Sequence, residues 1–430
     1  RVGQGDHSTM KRAVLVICDG LRADMVRPQW TPHLCRLGAR SRIFNRHRGV
    51  FPSTTRTTSA SIATGCLPAR HGLEGNAVAL DEGNGLIPLS VGAPDFRDRL
   101  RAATGKTLRE PTLAERLVDH GGSIVFSNVS PGAAFFQDPD GYGYVYHRAG
   151  SFGPGLAPID GSESLKATHG AAGDTAMTER FCDEVLRQRK PALAVLWQCE
   201  PDHSQHAFPL GSPAHLDAMA AADRNAQSVA DTVDALNADG EDILLIMASD
   251  HGHQTVDGIV DLDALLMEAG FKAGPDSTDC VVTSQGFSAF IYLDADHRGR
   301  ADEIATWLES VDGVGNVHVG NGLTAVGQRP GGALAIAVDA ENSDAKNAYG
   351  IPGLSTAFAN RFSMTLKDGH GDHGGLGRYE QSPFLIVRDG GFAAGSMCDV
   401  ESSAVDIAPT VLAHFDLPTG GMDGRPLERE

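Results

Sequence analysis

Cysteine is scarce and unpatterned in this sequence. There are seven in 430 residues: Cys18, Cys35, Cys66, Cys182, Cys199, Cys280 and Cys398. The number is odd and no C-x-x-C occurs, which argues against a disulfide framework and against a thiolate zinc site. Most are expected as small buried hydrophobes. Basic residues are also few. Lys plus Arg is 36 against 55 Asp plus Glu, leaving a formal charge of −19. No nucleic-acid-binding surface is expected, because phosphate contacts need a basic face. A small phosphate ester remains open as substrate, because bound metal ions can supply positive charge. No apolar run approaches the ~20 residues of a membrane span. Repeats, heptads and low-complexity linkers are missing, and no signal peptide is present. The location expected from the sequence as it stands is cytoplasmic, or periplasmic or secreted had a signal peptide been removed. Residues 1–9 are polar and precede Met10, and the chain is read from there.

What is present is a core-forming composition. Hydrophobic residues make 41% and charged residues 21%, enough for a large core and too apolar for disorder. Five short apolar runs read as buried strands: 13–18, 123–126, 192–199, 243–248 and 384–387. Helices are expected between them. Thr112 caps LAERLVDHG, with Glu115 completing a capping box and Gly121 at the stop. Asp174–Arg189 is a second. Ser212-Pro213 opens a long Ala-rich helix towards Asn237. Strands alternating with helices predict a mainly parallel sheet covered on both faces. Residues 259–366 differ. They predict a helix over 261–269, strand-like 280–294, a helix over 301–311, and short strands around Val317, Leu323 and Leu334, together a small α+β insert. The expected organisation is a discontinuous core, 10–258 and 367–430, interrupted by the inserted 259–366.

Polar residues crowd the strand ends. The first strand ends in Asp19-Gly20, the third in EPDHSQH (200–206), the fourth in SDHGH (249–253), and DGHGDHGG (368–375) precedes the fifth. Open α/β sheets bind ligands outside the carboxyl ends of their strands, so one rim could collect all of these. Asp and His without Cys suit zinc, manganese or iron in a catalytic site. Asp202 and His206 are four apart and can face one ion from one helical turn. The candidates are too many for one four-coordinate ion and suit two, ~3.5–4 Å apart, as in phosphoryl transfer. VFPSTTRTTSASIATG (50–65) adds hydroxyls at a helix start, beside free backbone N–H groups. They read either as a metal-activated nucleophile or as Ser/Thr caps of a buried helix.

Together VICDGLRADM, FPSTTRTTSASIATGCLPARHG, EPDHSQH, SDHGH and DHGG, in this order, resemble the alkaline phosphatase superfamily. Within it they are most similar to the type I phosphodiesterase/nucleotide pyrophosphatase and phosphonoacetate hydrolase branch. DIAPTVLAHFDLPTGGMDGRPL resembles the closing helix and tail. The likeness covers most of 10–258 and 370–427. It implies an alkaline-phosphatase-like α/β core and two divalent metal ions, zinc first, with manganese or iron acceptable. One ion would be held by Asp202, His206 and His373. The other would be held by Asp19, Asp250 and His251, with Thr55 bridging as nucleophile. Thr55 rather than Thr54 matches, ten residues before Gly65. His373 is preferred to His370 because it directly precedes the Gly-Gly pair. His203 and His253 are expected outside the ligand set.

The resemblance also implies two in-line displacements through a phosphothreonine. Thr58 stands where the family has an Asn amide that donates to a phosphoryl oxygen, and its hydroxyl can donate only once. Arg56 could supply charge instead, or point to solvent. Relatives that prefer monoesters or phosphonoacetate place Lys or Arg after the second strand. Here Ser127–Ala133 has neither, and no Lys or Arg follows that stretch before Arg148. Diesters or nucleotide pyrophosphates are therefore the expected substrates. A phosphonate or phosphomonoester hydrolase is the alternative, followed by a mutase and a catalytically silent metal-binding protein. Phe135, Phe136 and Tyr142 read as a leaving-group wall or as an ordinary packed loop. Cys66 fits the C-x-P-x-R of sulfatases but follows the helix rather than preceding it, and is expected to be structural.

Overall fold

The computed structural model describes residues 9–359, 361–362 and 366–430. Residues 360 and 363–365 of the expected insert thus lie outside the described residues. Eight elements frame the site: β1 (Lys11–Cys18), α1 (Thr55–Thr64), β2 (Ser123–Ser127), β3 (Leu193–Gln198), α2 (Asp202–Ala207), α3 (Pro213–Ala238), β4 (Asp242–Ala248) and β5 (Leu385–Arg388).

The main sheet has ten strands, with β1 at its middle. β1 pairs in parallel with β3 and β4, and β3 in parallel with β2. Their apolar runs are continuous because both faces are covered. Ala13, Leu15 and Ile17 point into one core with Trp197, Ile246, Ile62 and Val411. Val14, Val16 and Cys18 point into the other with Phe181, Met219 and Val229. α1 and the helix Ile407–His414 cover the first face, and α3 covers the second. This is the α/β layering the patterning calls for. The expected helix over 174–189 is α-helical from Ala171 to Arg180 and π-helical from Phe181 to Arg189. Behind Thr112, which accepts the Glu115 amide, the α-helix lasts only to Arg116 before a 3₁₀ turn carries the chain to Gly121.

Two expectations change. The fifth strand is not parallel: β5 runs antiparallel to β4, with Ala248 opposite Leu385 and Leu245 opposite Arg388. Its start therefore lies at the rim where the parallel strands end. For that reason the loop before it, rather than after it, carries site residues. Leu323, expected on a strand, lies on the short helix Asn321–Ala325. One buried Leu in a Gly-flanked stretch has no period to hold a strand.

Residues beyond Val260 build a second sheet in the order Cys280–Ser284, Ser288–Leu293, Leu334–Ala340, Val314–Val319. It has its own core of Leu262, Leu266, Ile291, Ile304, Leu308 and Ile336. On that ground we propose 259–366 as a subdomain inserted into the discontinuous core 10–258 and 367–430. It is not detached. Strand Pro352–Phe358 pairs with Gln254–Val260, which also pairs with Gly371–Asp372. At the turn between its first two strands Gly286 has φ +96°, and a Cβ there would lie 2.2 Å from the His373 carbonyl oxygen. Only glycine lets this turn approach so closely.

Candidate active site

The carboxyl ends of β1, β3 and β4, the first turn of α1 and the loop before β5 meet at one rim. Asp19 directly follows β1, Asp202 opens α2, and Asp250 and His251 follow β4. The Asp202 amide donates to the Asp19 carbonyl at 2.9 Å, tying two strand ends together. Around Asp202 Oδ1 gather His253 Nε2 at 2.7 Å, His206 Nε2 at 3.3 Å and His373 Nε2 at 3.4 Å. His251 Nε2 lies 3.0 Å from Thr55 Oγ1, 3.2 Å from Asp250 Oδ2 and 3.5 Å from Asp19 Oδ1. Thr55 also donates to Asp19 Oδ1 at 3.4 Å. Asp19 Oδ2 accepts from Trp197 Nε1 at 2.7 Å.

Two donor clusters result, each with ligand atoms within 4.8 Å of one another: Asp202, His206, His253 and His373, and Asp19, Asp202 and His251. Asp250 borders the second cluster through His251, while its Oδ1 accepts the Gly20 amide. The imidazoles are aimed from behind. His373 Nδ1 donates to the Ser53 carbonyl at 2.6 Å, and His251 Nδ1 to the Gly252 carbonyl at 2.9 Å. Both Nε2 atoms are thereby free to accept a metal.

The electrostatics fit a cation. Burial, then Asp250 and Asp202, hold the Asp19 carboxyl well above the usual carboxylate range. Burial, with Asp202 adding, pushes Asp250 up to about 7. At Asp202 burial acts the same way, but His206 and hydrogen bonds from His206, His253 and His373 outweigh it and hold the group well below its ordinary value. Two fully buried carboxyls, Asp19 and Asp250, and the half-buried Asp202 repel one another. A divalent ion would relieve them, and a set of carboxylate oxygens and imidazole nitrogens without thiolate suits zinc, manganese or iron.

The site opens into a cavity of about 380 Å³ lined by Thr55, Arg56, Asn76, Arg148, His203 and Gln285 among others. Arg56 does not point to solvent. Its Nε donates to Ser130 Oγ and its Nη1 to the Asn76 carbonyl, both at 3.1 Å. The guanidinium lies over Gly92, where a Cβ would come within 2.5 Å of Nη2. Burial draws its pKa down to about 10, against the pull of Asp202 and Asp19.

Thr58 is not brought to the cavity. It is fully buried and its hydroxyl has no partner among the described residues. Three residues of helix carry it ~4.5 Å down the axis from Thr55, into the core. Asn76 lines the cavity instead. Its Oδ1 accepts the Arg56 amide at 3.1 Å, and its Nδ2 donates to no protein atom among the described residues. Sequence reasoning missed Asn76 because nothing local links it to Thr55. It also left out His253, which is fully buried against Asp202. The signal was there, since SDHGH alternates histidines at a strand end. His370 stays outside both clusters, its Nδ1 donating to the His206 carbonyl at 2.9 Å. Phe135 and Phe136 are core residues, and Tyr142 donates to Glu115 at the surface, so that segment is a packed loop. Cys66 is buried past the end of α1, outside the cavity lining.

Behind His373, Ser53 Oγ lies within hydrogen-bond distance of buried Glu380 Oε1 (3.1 Å) and of the Gly375 carbonyl (3.0 Å). Burial pushes Glu380 up to about 8 from 4.5. The folded state therefore prefers it protonated, and the contribution of Glu380 to stability falls as pH rises from about 4.5 towards about 8, by up to about 1.4 kcal/mol per pH unit. Glu380→Gln keeps the acceptor and removes the charge. Denaturant melts at pH 6 and pH 8 are expected to show a smaller loss of stability on raising the pH in the variant than in wild type. Equal losses would mean that Glu380 does not titrate in this window.

A layered α/β fold with Asp/His clusters at the strand ends and a hydroxyl at a helix start defines an alkaline-phosphatase-like hydrolase. Residues 13–376 match the sequence family described as type I phosphodiesterase/nucleotide pyrophosphatase, and the chain belongs to that family. No curated protein sequence matches it significantly. Its fold is similar to that of murine ectonucleotide pyrophosphatase/phosphodiesterase 5 in an inactive form with AMP. That likeness has a TM-score of 0.66 at 16% identity, over 96% of this chain and 97% of that one. The human counterpart gives the same values. Phosphonoacetate hydrolase from Sinorhizobium meliloti 1021 with phosphonoformate gives 0.64 at 19% identity, over 95% and 96%.

Proposed function

We propose that the chain hydrolyses phosphoric esters with Thr55 as nucleophile, diesters or nucleotide pyrophosphates preferred. The carrying observation is the Thr55 hydroxyl, which opens α1 within 3.0 Å of His251 Nε2 and 3.4 Å of Asp19 Oδ1. Thr55 Oγ attacks phosphorus in line with the leaving oxygen and gives a phosphothreonine, which water then hydrolyses. Asp202, His206 and His373 would hold one divalent ion, with His253 beside them, and Asp19, Asp250 and His251 a second; the family resemblance puts zinc first, and the donor set equally suits manganese or iron. Such ions lower the pKa of a bound hydroxyl and neutralise charge on phosphoryl oxygens. Asn76 Nδ2 and the Arg56 guanidinium border the same space and would donate to phosphoryl oxygens as charge builds on them.

A phosphonate or monoester hydrolase on the same site is the second reading. It is favoured by the two guanidiniums in the cavity and by the likeness to phosphonoacetate hydrolase. Zinc- or manganese-loaded and EDTA-treated protein, assayed on bis-p-nitrophenyl phosphate and p-nitrophenyl phosphate, separates the two. Faster metal-dependent cleavage of the diester is expected. A faster monoester would favour the second reading, and full activity after EDTA would remove the metals from the proposal.

A further inference from the structure

Building on the phosphoric-ester reading, we propose that Arg148 determines specificity through a second anion subsite in the same cavity. The subsite takes a second oxyanion, a carboxylate or an additional phosphate, carried by the substrate beside its scissile phosphorus. The loop after β2 has no cation of its own, and the structure brings one from the neighbouring strand. Tyr144–Tyr146 pairs in parallel with β2, so both strands end at one rim, and Arg148 lies two residues further on.

The guanidinium is fixed on one side only. Its Nη1 donates to the Asn128 carbonyl at 2.6 Å and to Asn128 Oδ1 at 2.9 Å. Asn128 is fully buried and donates through Nδ2 to Asp174 Oδ1 at 2.9 Å and to the Thr168 carbonyl at 3.0 Å. Asp174 in turn accepts the Cys199 and Glu200 amides at 3.1 and 2.9 Å. Arg148 is thus anchored on the buried network that sets the approach to Asp202. The opposite edge, Nε and Nη2, makes no hydrogen bond among the described residues, and Arg148 has no ion pair among them. That edge carries parallel N–H donors matched to a carboxylate or phosphate.

Charge balance points the same way. The chain carries −19, and Arg12, Arg22 and Arg99 find Glu241, Asp24 and Glu82, whereas the two arginines that line the cavity, Arg56 and Arg148, form no ion pair among the described residues. Arg148 lines the cavity half-buried without one. A half-buried cation is costly; the Asp174 carboxylate behind Asn128 offsets part of that cost, and an anion entering the cavity would offset more. A substrate with a single anionic group, held at Thr55, would leave Arg148 unpaired.

The test compares metal-loaded wild type, Arg148→Met and Arg148→Lys on three substrates: bis-p-nitrophenyl phosphate, ATP and phosphonoacetate. For the substrates with a second anion, Arg148→Met is expected to lower kcat/KM about ten- to a hundredfold beyond its effect on the diester. Most of that loss should lie in KM, and Arg148→Lys should recover only part. A selective loss on ATP assigns the subsite to phosphate, on phosphonoacetate to carboxylate, and on both to either group. Equal losses on all three overturn the proposal and leave Arg148 a structural tether. Should wild type cleave none of them, the phosphoric-ester reading fails, and the subsite is judged by calorimetry of pyrophosphate against orthophosphate. A preference for pyrophosphate that Arg148→Met removes supports it. The same preference in both proteins, or none in wild type, overturns it.

Discussion

Thr55→Ala is expected to lower kcat at least about a thousandfold on any ester the protein cleaves, as loss of a covalent nucleophile does. Fold and metal content should stay close to wild type. Among the described residues the Thr55 side chain bonds only to Asp19 and His251, and it does not cap α1. Deleting it removes a hydroxyl and a methyl from a position open to the cavity at 8% exposure, so little packing is lost. Thr55→Ser keeps the oxygen and should retain a measurable fraction of the rate. Burst kinetics and acid-quenched capture of phosphoprotein provide the check, and undiminished turnover in Thr55→Ala would remove the phosphothreonine from the mechanism.

Asp202→Asn is expected to have the broadest effect of any single substitution at the site. Among the described residues Asp202 belongs to both donor clusters, and its carboxylate faces His206, His253 and His373 together. Asparagine keeps the shape but removes the charge that would hold cations there. Metal affinity should fall by more than about a hundredfold, since even residues behind the ligands change it ten- to a hundredfold. Activity should be lost in proportion. Ions that bind only the folded state stabilise it by about 2.7 kcal/mol at a hundred times Kd, so wild type should melt lower after EDTA. In Asp202→Asn that EDTA-dependent difference should vanish. Metal analysis and paired melts read both effects, and wild-type metal content in the variant would contradict the placement of Asp202 between the clusters.

Much of this site was legible in the sequence because strand ends are local features. An apolar run followed at once by Asp, or by Asp and His, announces a strand delivering polar groups to a rim. Asp19, Asp202, His206, Asp250 and His251 all read that way. The run of hydroxyls from Ser53 to Thr58 likewise announced a helix start, and α1 begins at Thr55. Pattern alone could not tell which hydroxyl faces the cavity. Thr58 differs from Thr55 only by one turn of helix, and that turn separates the core from the site.

What stayed hidden depends on contacts between distant segments. The direction of β5 is set by where the chain re-enters the sheet after the insert. Asn76 reaches the cavity because its amide and that of Ala77 are held by Gln285 Oε1, at 2.6 and 3.2 Å, from the insert. Arg148 comes from the strand beyond the loop where the sequence led one to look for a cation. The sequence by itself determined the α/β layering, the family and the metal-type donor set, because apolar periodicity and residue chemistry are carried within short segments. Only the tertiary structure decided which donors share an oxygen, and that Asn76 and Arg148 line the same cavity as Thr55. Those depend on packing between segments that periodicity does not encode.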